Sequence, residues 1–342
     1  MNQTTQMHQI ARELHEHECF FTPFYCDGFL AWLVESGYAE FAIVGKKHVV
    51  RCMEYLQRHN LNIDVRGEAK EYDLVLTCSD LVIPRNVQGK PVVLVQEGMT
   101  DPENLPYHMV RAFRFLPRWL ASTSVTGLSD GYRKFCVASE GYRSLFIRKG
   151  VNPEKIVVTG IPNFDDCRKF LNNNFPLKGY VLVCTSDSRE TLKLENRKKL
   201  IRFARKVAGT RQLVFKLHPN ENVARATREI QKHAPGALIF SSGSAEEMIA
   251  NCEVLITIYS STVYVGLALG KESYSSFDVE ELRELTPIQN ACAARNIANV
   301  CRQILEEESD LPPAIRVVPD AMSSMGQGTL IQRFRRLVTR AG

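Results

Sequence analysis

The chain has 342 residues, 44% of them hydrophobic and 24% charged, with a formal net charge of +5. These fractions are those of a globular protein, and the length exceeds the roughly 250–300 residues at which a single core divides, so two domains are expected. The charge is spread along the chain with no basic stripe interleaved with aromatics, which argues against a nucleic-acid-binding protein. No apolar run approaches the roughly 18 residues that mark a membrane-spanning helix. Ten scattered cysteines without a Cys-x-x-Cys pair speak for reduced thiols rather than a disulfide or zinc framework. With no signal peptide at the start, a cytoplasmic protein is expected.

After a polar, amphipathic start, FAIVG (41–45) opens an alternation of short apolar runs with helical segments. NIDV, YDLVLTCS, PVVLVQEG, FCVAS and KIVVTGIP read as strands of a first half; YVLVCTS, RQLVFKL, GALIF, EVLITIYS and KESYSSF repeat the scheme in a second. Strands of four to eight residues alternating with helices predict parallel sheet. The stretch CRKFLNNNFPLKGY interrupts the pattern with asparagines, a proline and a glycine, and places the boundary between residues 1–172 and 173–342. The expected architecture is α/β, with two Rossmann-like domains facing across a cleft. The basic, amphipathic ending LIQRFRRLVTRAG suits either an anionic membrane surface or a terminal helix packing back on the first domain, and docking is favoured.

In such an arrangement the residues just after the strands line the cleft. The first half supplies Gly45, Asp80 and the trio Gln96, Glu97 and Gly98. The second supplies 185–189, including Ser186 and Arg189, then Lys216 and His218, then 241–244, then Tyr259, Ser260, Ser261 and Thr262. The second set is rich in hydroxyls and poor in acids, a composition that suits phosphate, while the first offers carboxylates. FKLHPNENVARATREI joins a buried strand to an exposed helix, so Lys216 and His218 sit where helix-start N–H groups favour an anion. A plain helix entry, with Pro219 in the first turn and Asn220 as cap, is the alternative. Three consecutive hydroxyls at 260–262 open another helix and are suited to phosphate oxygens. Glu97, at the end of an apolar strand, is placed to take a proton from an attacking hydroxyl, and Asp80 is the competing carboxylate.

GLALGK (266–271) is one residue short of a nucleotide P-loop and has no Ser or Thr after the lysine. No Asp-x-Asp occurs, so a diphosphate-bound Mg²⁺ or Mn²⁺ has no obvious ligands. HEHEC (15–19) sets its histidines two apart, on different sides of a helix. No metal and no cofactor are expected.

The stretch DGYRKFCVASEGYRSLFIRKGVNPEKIVVTGIPNFDD (130–166) resembles the corresponding region of the non-hydrolysing UDP-N-acetylglucosamine 2-epimerases and of glycosyltransferases with the GT-B fold. The order of motifs extends the similarity over roughly residues 40–275. The Ser-Gly-Gly-x-Gln-Glu-Glu segment of the epimerases is matched here by 260–266, which contains no glutamate, and their Ala-His-Arg-Arg-Glu-Asn stretch by 185–190, which contains no histidine. KLHP together with YSSTVYVGLALGK looks like the His-Pro and Ser-Ser/Thr motifs of bacterial sialyltransferases and capsule Kdo transferases. Gln96-Glu97-Gly98 looks like their acidic-acidic-Gly motif with Gln in the first place. That resemblance implies Glu97 as base, His218 at the donor phosphate or leaving group, and Ser260, Ser261 and Thr262 on the phosphate. It also implies a nucleotide-sugar and a glycan or glycolipid acceptor, beside the peripheral membrane contact that the basic ending allows and the lack of nucleic acid that the charge distribution argues for. Glycerophosphotransferases of teichoic-acid type share the His-Pro and Ser-Ser pattern but pair it with His-Gly where this chain has Glu97-Gly98. Epimerase-like chemistry, glycerol phosphate transfer and non-catalytic ligand binding remain open beside glycosyl transfer.

Overall fold

The computed structural model describes residues 2–28, 31, 46–113, 115–186, 189 and 195–310. The expected strand at 41–45 with Gly45, residues 187, 188 and 190, and the basic segment 330–342 lie outside them.

Helices α1 (Asn2–Glu13) and α2 (Lys46–Arg58) precede a first parallel sheet of β1 (Val75–Thr77), β2 (Val92–Val95), β3 (Lys134–Val137) and β4 (Ile156–Val158), ordered β1-β2-β3-β4. Helix α3 (Leu105–Ala112) lies between β2 and β3, and α4 (Glu140–Lys149) between β3 and β4. The chain leaves this sheet at Val158 and enters the second at β5 (Val181–Cys184). There follow α5 (Arg197–Ala208), β6 (Leu213–Lys216), α6 (Val223–His233), β7 (Leu238–Phe240), α7 (Ala245–Asn251), β8 (Val254–Ile256), α8 (Thr262–Ala268) and β9 (Glu272–Tyr274), with sheet order β7-β6-β5-β8-β9. Every pairing among these strands is parallel. The two sheets with their helices make two Rossmann-like domains. Two more helices follow, α9 (Val279–Leu285) and α10 (Ala293–Asp310).

The expected strands from 73 onward form because parallel strands covered on both faces bury every side chain, which is why β2, β5, β6 and β8 are apolar runs with no polar alternation. The expected strand NIDV does not form beyond a single bridge between Phe21 and Ile63. Asp64 ends it: its carboxylate accepts from the Ala69 N–H (2.9 Å), the Glu68 N–H (3.3 Å) and the Tyr72 hydroxyl, bending the chain into a tight turn over Val65–Gly67.

Helix α10 returns to the first sheet. Its buried Ile297, Ala298, Cys301 and Ile304 pack with Ile10 of α1 and Leu14 just after it, on the face carrying Val93, Val95 and Cys136. The other face of that sheet belongs to a core that runs without interruption into the second domain, joining Leu94, Phe135, Val137 and Phe146 to Leu182, Leu255, Tyr264 and Leu285. A large apolar interface of this kind holds two domains in a fixed relation. Close backbone approach is required where α4 meets the end of α9: a Cβ on Gly141 would overlap the main-chain oxygen of Glu284. Alanine ordinarily favours a helix over glycine by about 1 kcal/mol, but this overlap is with backbone and cannot be relieved by a rotamer. Gly141→Ala is therefore expected to destabilise by about 1–3 kcal/mol, read as a lower urea midpoint with unchanged slope.

Candidate functional site

β2 delivers its C-terminal turn to the seam between the domains. Gln96, fully buried, holds that turn from both sides: its amide donates to the Gly98 carbonyl (2.8 Å) and its oxygen accepts from the Ala138 N–H (2.9 Å) just past β3. Glu97 follows, half-buried, and its Oε2 accepts a hydrogen bond from Nε2 of Gln3 on α1 (2.7 Å). One helical turn on, Gln6 donates to the Gln96 carbonyl (2.8 Å). Thr5 and Gln9 meet the Asn163 side chain at 3.2 and 2.9 Å.

The second sheet brings its own turns to the same seam. A Cβ on Gly98 would lie 2.7 Å from the Ser261 hydroxyl, and that hydroxyl accepts from the Met99 N–H (3.0 Å). Ser261 thus serves the other domain instead of capping α8, where it makes no side-chain cap. The Ser260 and Thr262 hydroxyls are 2.8 Å apart and pair with one another. Lys216, at the end of β6, is buried, with Nζ donating to the Leu217 carbonyl (3.1 Å). Lys216 is paired in register with Cys184 of β5, whose thiol burial pushes up to about 12 while the lysine charge opposes the rise. These groups flank the step between β5 and β8, where the strand order reverses direction along the sheet and ligands of doubly wound folds bind.

His218 is placed by Thr185, whose hydroxyl accepts the His218 N–H (3.0 Å) and donates to the buried Glu221. The Asn220 N–H donates to Nδ1 of His218 (3.3 Å), so in the neutral ring Nε2 carries the proton. The helix entry expected at Asn220 comes two residues later. A turn closed by the Glu221 N–H on the His218 carbonyl (3.0 Å) intervenes, and Asn222 caps α6 by accepting from Arg225 (3.0 Å). Arg51 of α2 reaches across the seam to the Asn220 side chain (3.1 Å).

Three residues that the sequence grouped with this site are engaged by other partners. Asp80 is buried, and its carboxylate accepts from the N–H groups of Gly127 (3.1 Å) and Ser129 (3.0 Å), beside Arg118 at 3.4 Å. It shapes the 127–129 loop, whereas Glu97 ends on the seam. Ser186 donates to Glu195 (2.9 Å), and Arg189 pairs with Glu229 (2.7 Å) and Glu221 (3.4 Å). Both belong to an ionic network completed by Arg197, which pairs with Glu221 at 2.6 Å and with Glu195. Further round the second sheet, Ser244 caps α7. Among the described residues no group of three or more His, Cys, Asp and Glu side chains converges as a metal-ligand set. None of the described helices is long and apolar enough to cross a membrane.

Sequence reasoning missed Gln3, Gln6 and Asn163, because nothing in a polar helix near the start of the chain signals contact with residue 97. It also missed a buried pair that ties the domains beneath the site: the hydroxyls of Tyr142 on α4 and Tyr264 on α8, 2.6 Å apart.

Removing the Ser261 hydroxyl leaves the Met99 N–H without its partner. Ser261→Ala is expected to cost about 1 kcal/mol in urea unfolding, with no loss in a Met99-to-proline background, where the donor is already absent. Burial also sets an alkaline limit. Because the Cys184 thiol keeps its proton up to about 12 in the folded chain but near its ordinary value of 9.0 when unfolded, the folded state binds more protons between those values. Stability therefore falls as pH rises above about 9, and Cys184→Ala makes that fall shallower in urea midpoints measured against pH.

No protein-family model and no curated protein matches this chain. Solved structures do. A Staphylococcus aureus MnaA–UDP co-structure aligns with a TM-score of 0.52 at 14% identity, over 91% of this chain and 96% of that one. The UDP-GlcNAc 2-epimerase from Neisseria meningitidis bound to UDP-GlcNAc aligns with a TM-score of 0.50 at 13% identity, covering 88% and 96%. The UDP-GlcNAc 2-epimerase from Methanocaldococcus jannaschii gives 0.50 at 12% identity, covering 89% and 97%. At these identities the likeness is one of fold: two Rossmann-like domains in the GT-B arrangement.

Proposed function

We propose that this chain is a metal-independent GT-B glycosyltransferase. It moves a sugar from a nucleotide-sugar, a CMP-sugar in preference to a UDP-sugar, to a hydroxyl of a glycan or glycolipid acceptor in surface-polysaccharide synthesis. The observation that carries this reading is the contact of Ser261 with Met99, which sets the hydroxyl-rich turn of the second domain against the turn that bears Glu97. In the proposed reaction the Glu97 carboxylate takes the proton of the acceptor hydroxyl as that oxygen bonds to the anomeric carbon. The bond from that carbon to the donor phosphate breaks, and its electron pair leaves with the nucleotide. Lys216, the Nε2–H of His218 and the hydroxyls of Ser260, Ser261 and Thr262 stabilise the charge that grows on the departing phosphate. Donors already fixed in place when that charge develops supply the larger part of the rate enhancement in such sites. Gly98 lets the two turns approach, and peripheral contact with a membrane would bring a glycolipid acceptor to the first domain.

A second reading is epimerase-like chemistry on a nucleotide-sugar without an acceptor. The UDP and UDP-GlcNAc in two structures of like fold motivate it, and product analysis with donor alone separates it from transfer.

The deciding experiment is a thermal-shift panel of CMP, CDP, UDP, UMP and GDP, followed by turnover of the corresponding donor. A nucleotide present at about 100 times its dissociation constant should stabilise by about 2.7 kcal/mol. His218→Ala should lower turnover by about 10²-fold or more. Absence of any shift across the panel, or unchanged turnover in His218→Ala and Glu97→Gln, would remove this assignment.

A further inference from the structure

We propose that Gln3, on a helix outside both sheets, is a positioning residue for the Glu97 carboxylate, which makes α1 a working part of the acceptor side of the site. This rests on the reading of Glu97 as the base. Three observations carry it. The Gln3 amide donates directly to Oε2 of Glu97 at 2.7 Å, and Gln6, on the same face of the helix, donates to the main chain of the same turn at 2.8 Å. The helix that presents these donors is fixed on several sides. Thr5 and Gln9 meet Asn163, Thr4 donates to the Cys52 thiol (3.4 Å), His8 hydrogen-bonds Tyr55 of α2 (3.0 Å), and Ile10 and Leu14 are buried against α10. Lastly, the donor is neutral.

A lysine or arginine in that place would hold the carboxylate equally well but would favour its charged form so strongly that its basicity would suffer. Among the described residues Glu97 makes no ion pair. The titratable group that feels its charge is the Cys78 thiol past β1, which burial and then Glu97 push up. From the second domain the Ser261 hydroxyl faces the adjoining Gly98. An amide is therefore the group that directs one carboxylate oxygen and leaves the other to an incoming hydroxyl, without a full charge beside it.

The test uses the full chain with glutamate labelled at the carboxyl carbon, the Glu97 resonance being assigned from its loss in Glu97→Gln. In Gln3→Leu the Glu97 carboxyl resonance should move, because the hydrogen bond to Oε2 has been lost. Nucleotide release from CMP-N-acetylneuraminic acid, or from UDP-GlcNAc if the nucleotide panel selects uridine, should fall about tenfold in kcat with KM changed by less than about twofold. Gln3→Asn, which draws the amide back by one methylene and keeps the site polar, should fall between the two and guards against a variant that fails to fold. Coincident Glu97 resonances in the two proteins would show that Gln3 does not hold the carboxylate. A moved resonance with unchanged kcat would overturn the positioning role. If Glu97→Gln keeps its turnover, it is the reading of Glu97 as base that fails, and the resonances still decide whether Gln3 holds the carboxylate. If neither donor is turned over by the parent chain, the reading of Glu97 as base and the kinetic role of Gln3 fall, and the resonances alone decide whether Gln3 holds the carboxylate.

Discussion

The Ser261 hydroxyl takes a hydrogen bond from the Met99 main chain at the point where Gly98 has no Cβ to keep two backbones apart. That contact joins the carboxyl ends of two sheets that share no strand. It is backed by apolar side chains from both domains and by the buried Tyr142–Tyr264 hydroxyl pair. Tyr142 holds its proton up to about 12, mainly because it is buried, so the pair stays neutral and no charge opposes the closure. The geometry of every group at the seam is referred to this joint, because its alternative is a buried N–H without a partner.

Charge is distributed unevenly about the joint. On the second domain the acids near the strand ends, Glu195, Glu221 and Glu229, are bound to Arg197 and Arg189. The strand ends of the same domain also carry Lys216, His218 and the hydroxyls of Ser260, Ser261 and Thr262. On the first domain Glu97 is met by the neutral Gln3 amide of α1, and Gln6 holds the Gln96 carbonyl beside it. Glu221 contributes at one remove, since Thr185 lies between its carboxylate and the His218 main chain.

The strands were legible because a parallel strand covered on both faces must be apolar throughout, and YVLVCTS or PVVLVQEG has no other stable use in water. Their ends were legible too, which is how Glu97, Lys216 and 260–262 were singled out. Local side-chain chemistry was harder to read. NIDV carries a strand-like pattern, yet the Asp64 carboxylate captures three donors downstream and turns the chain. Asn220 and Asn222 are both good caps by composition, and the choice went to Asn222 because the His218–Glu221 turn closes first. Asp80 and Glu97 looked alike as acids ending strands, but only the packing of the 127–129 loop decides that Asp80 faces inward.

By itself the sequence determined what depends on neighbours a few residues apart: the alternation of elements, the parallel sheets and the chemical type of each strand end. Burial pattern and helix period are local properties, and they survive without knowledge of the partner. Tertiary structure alone decided that Gln3 meets a residue 94 positions away, that Ser261 bonds Met99 across 162, and that Arg189 turns to Glu229 within its own domain. Such pairings are set by how the apolar faces of two domains and two outlying helices close on one another. No single stretch of residues contains that information, because the desolvation that makes each bond count arises only once all the surfaces have met.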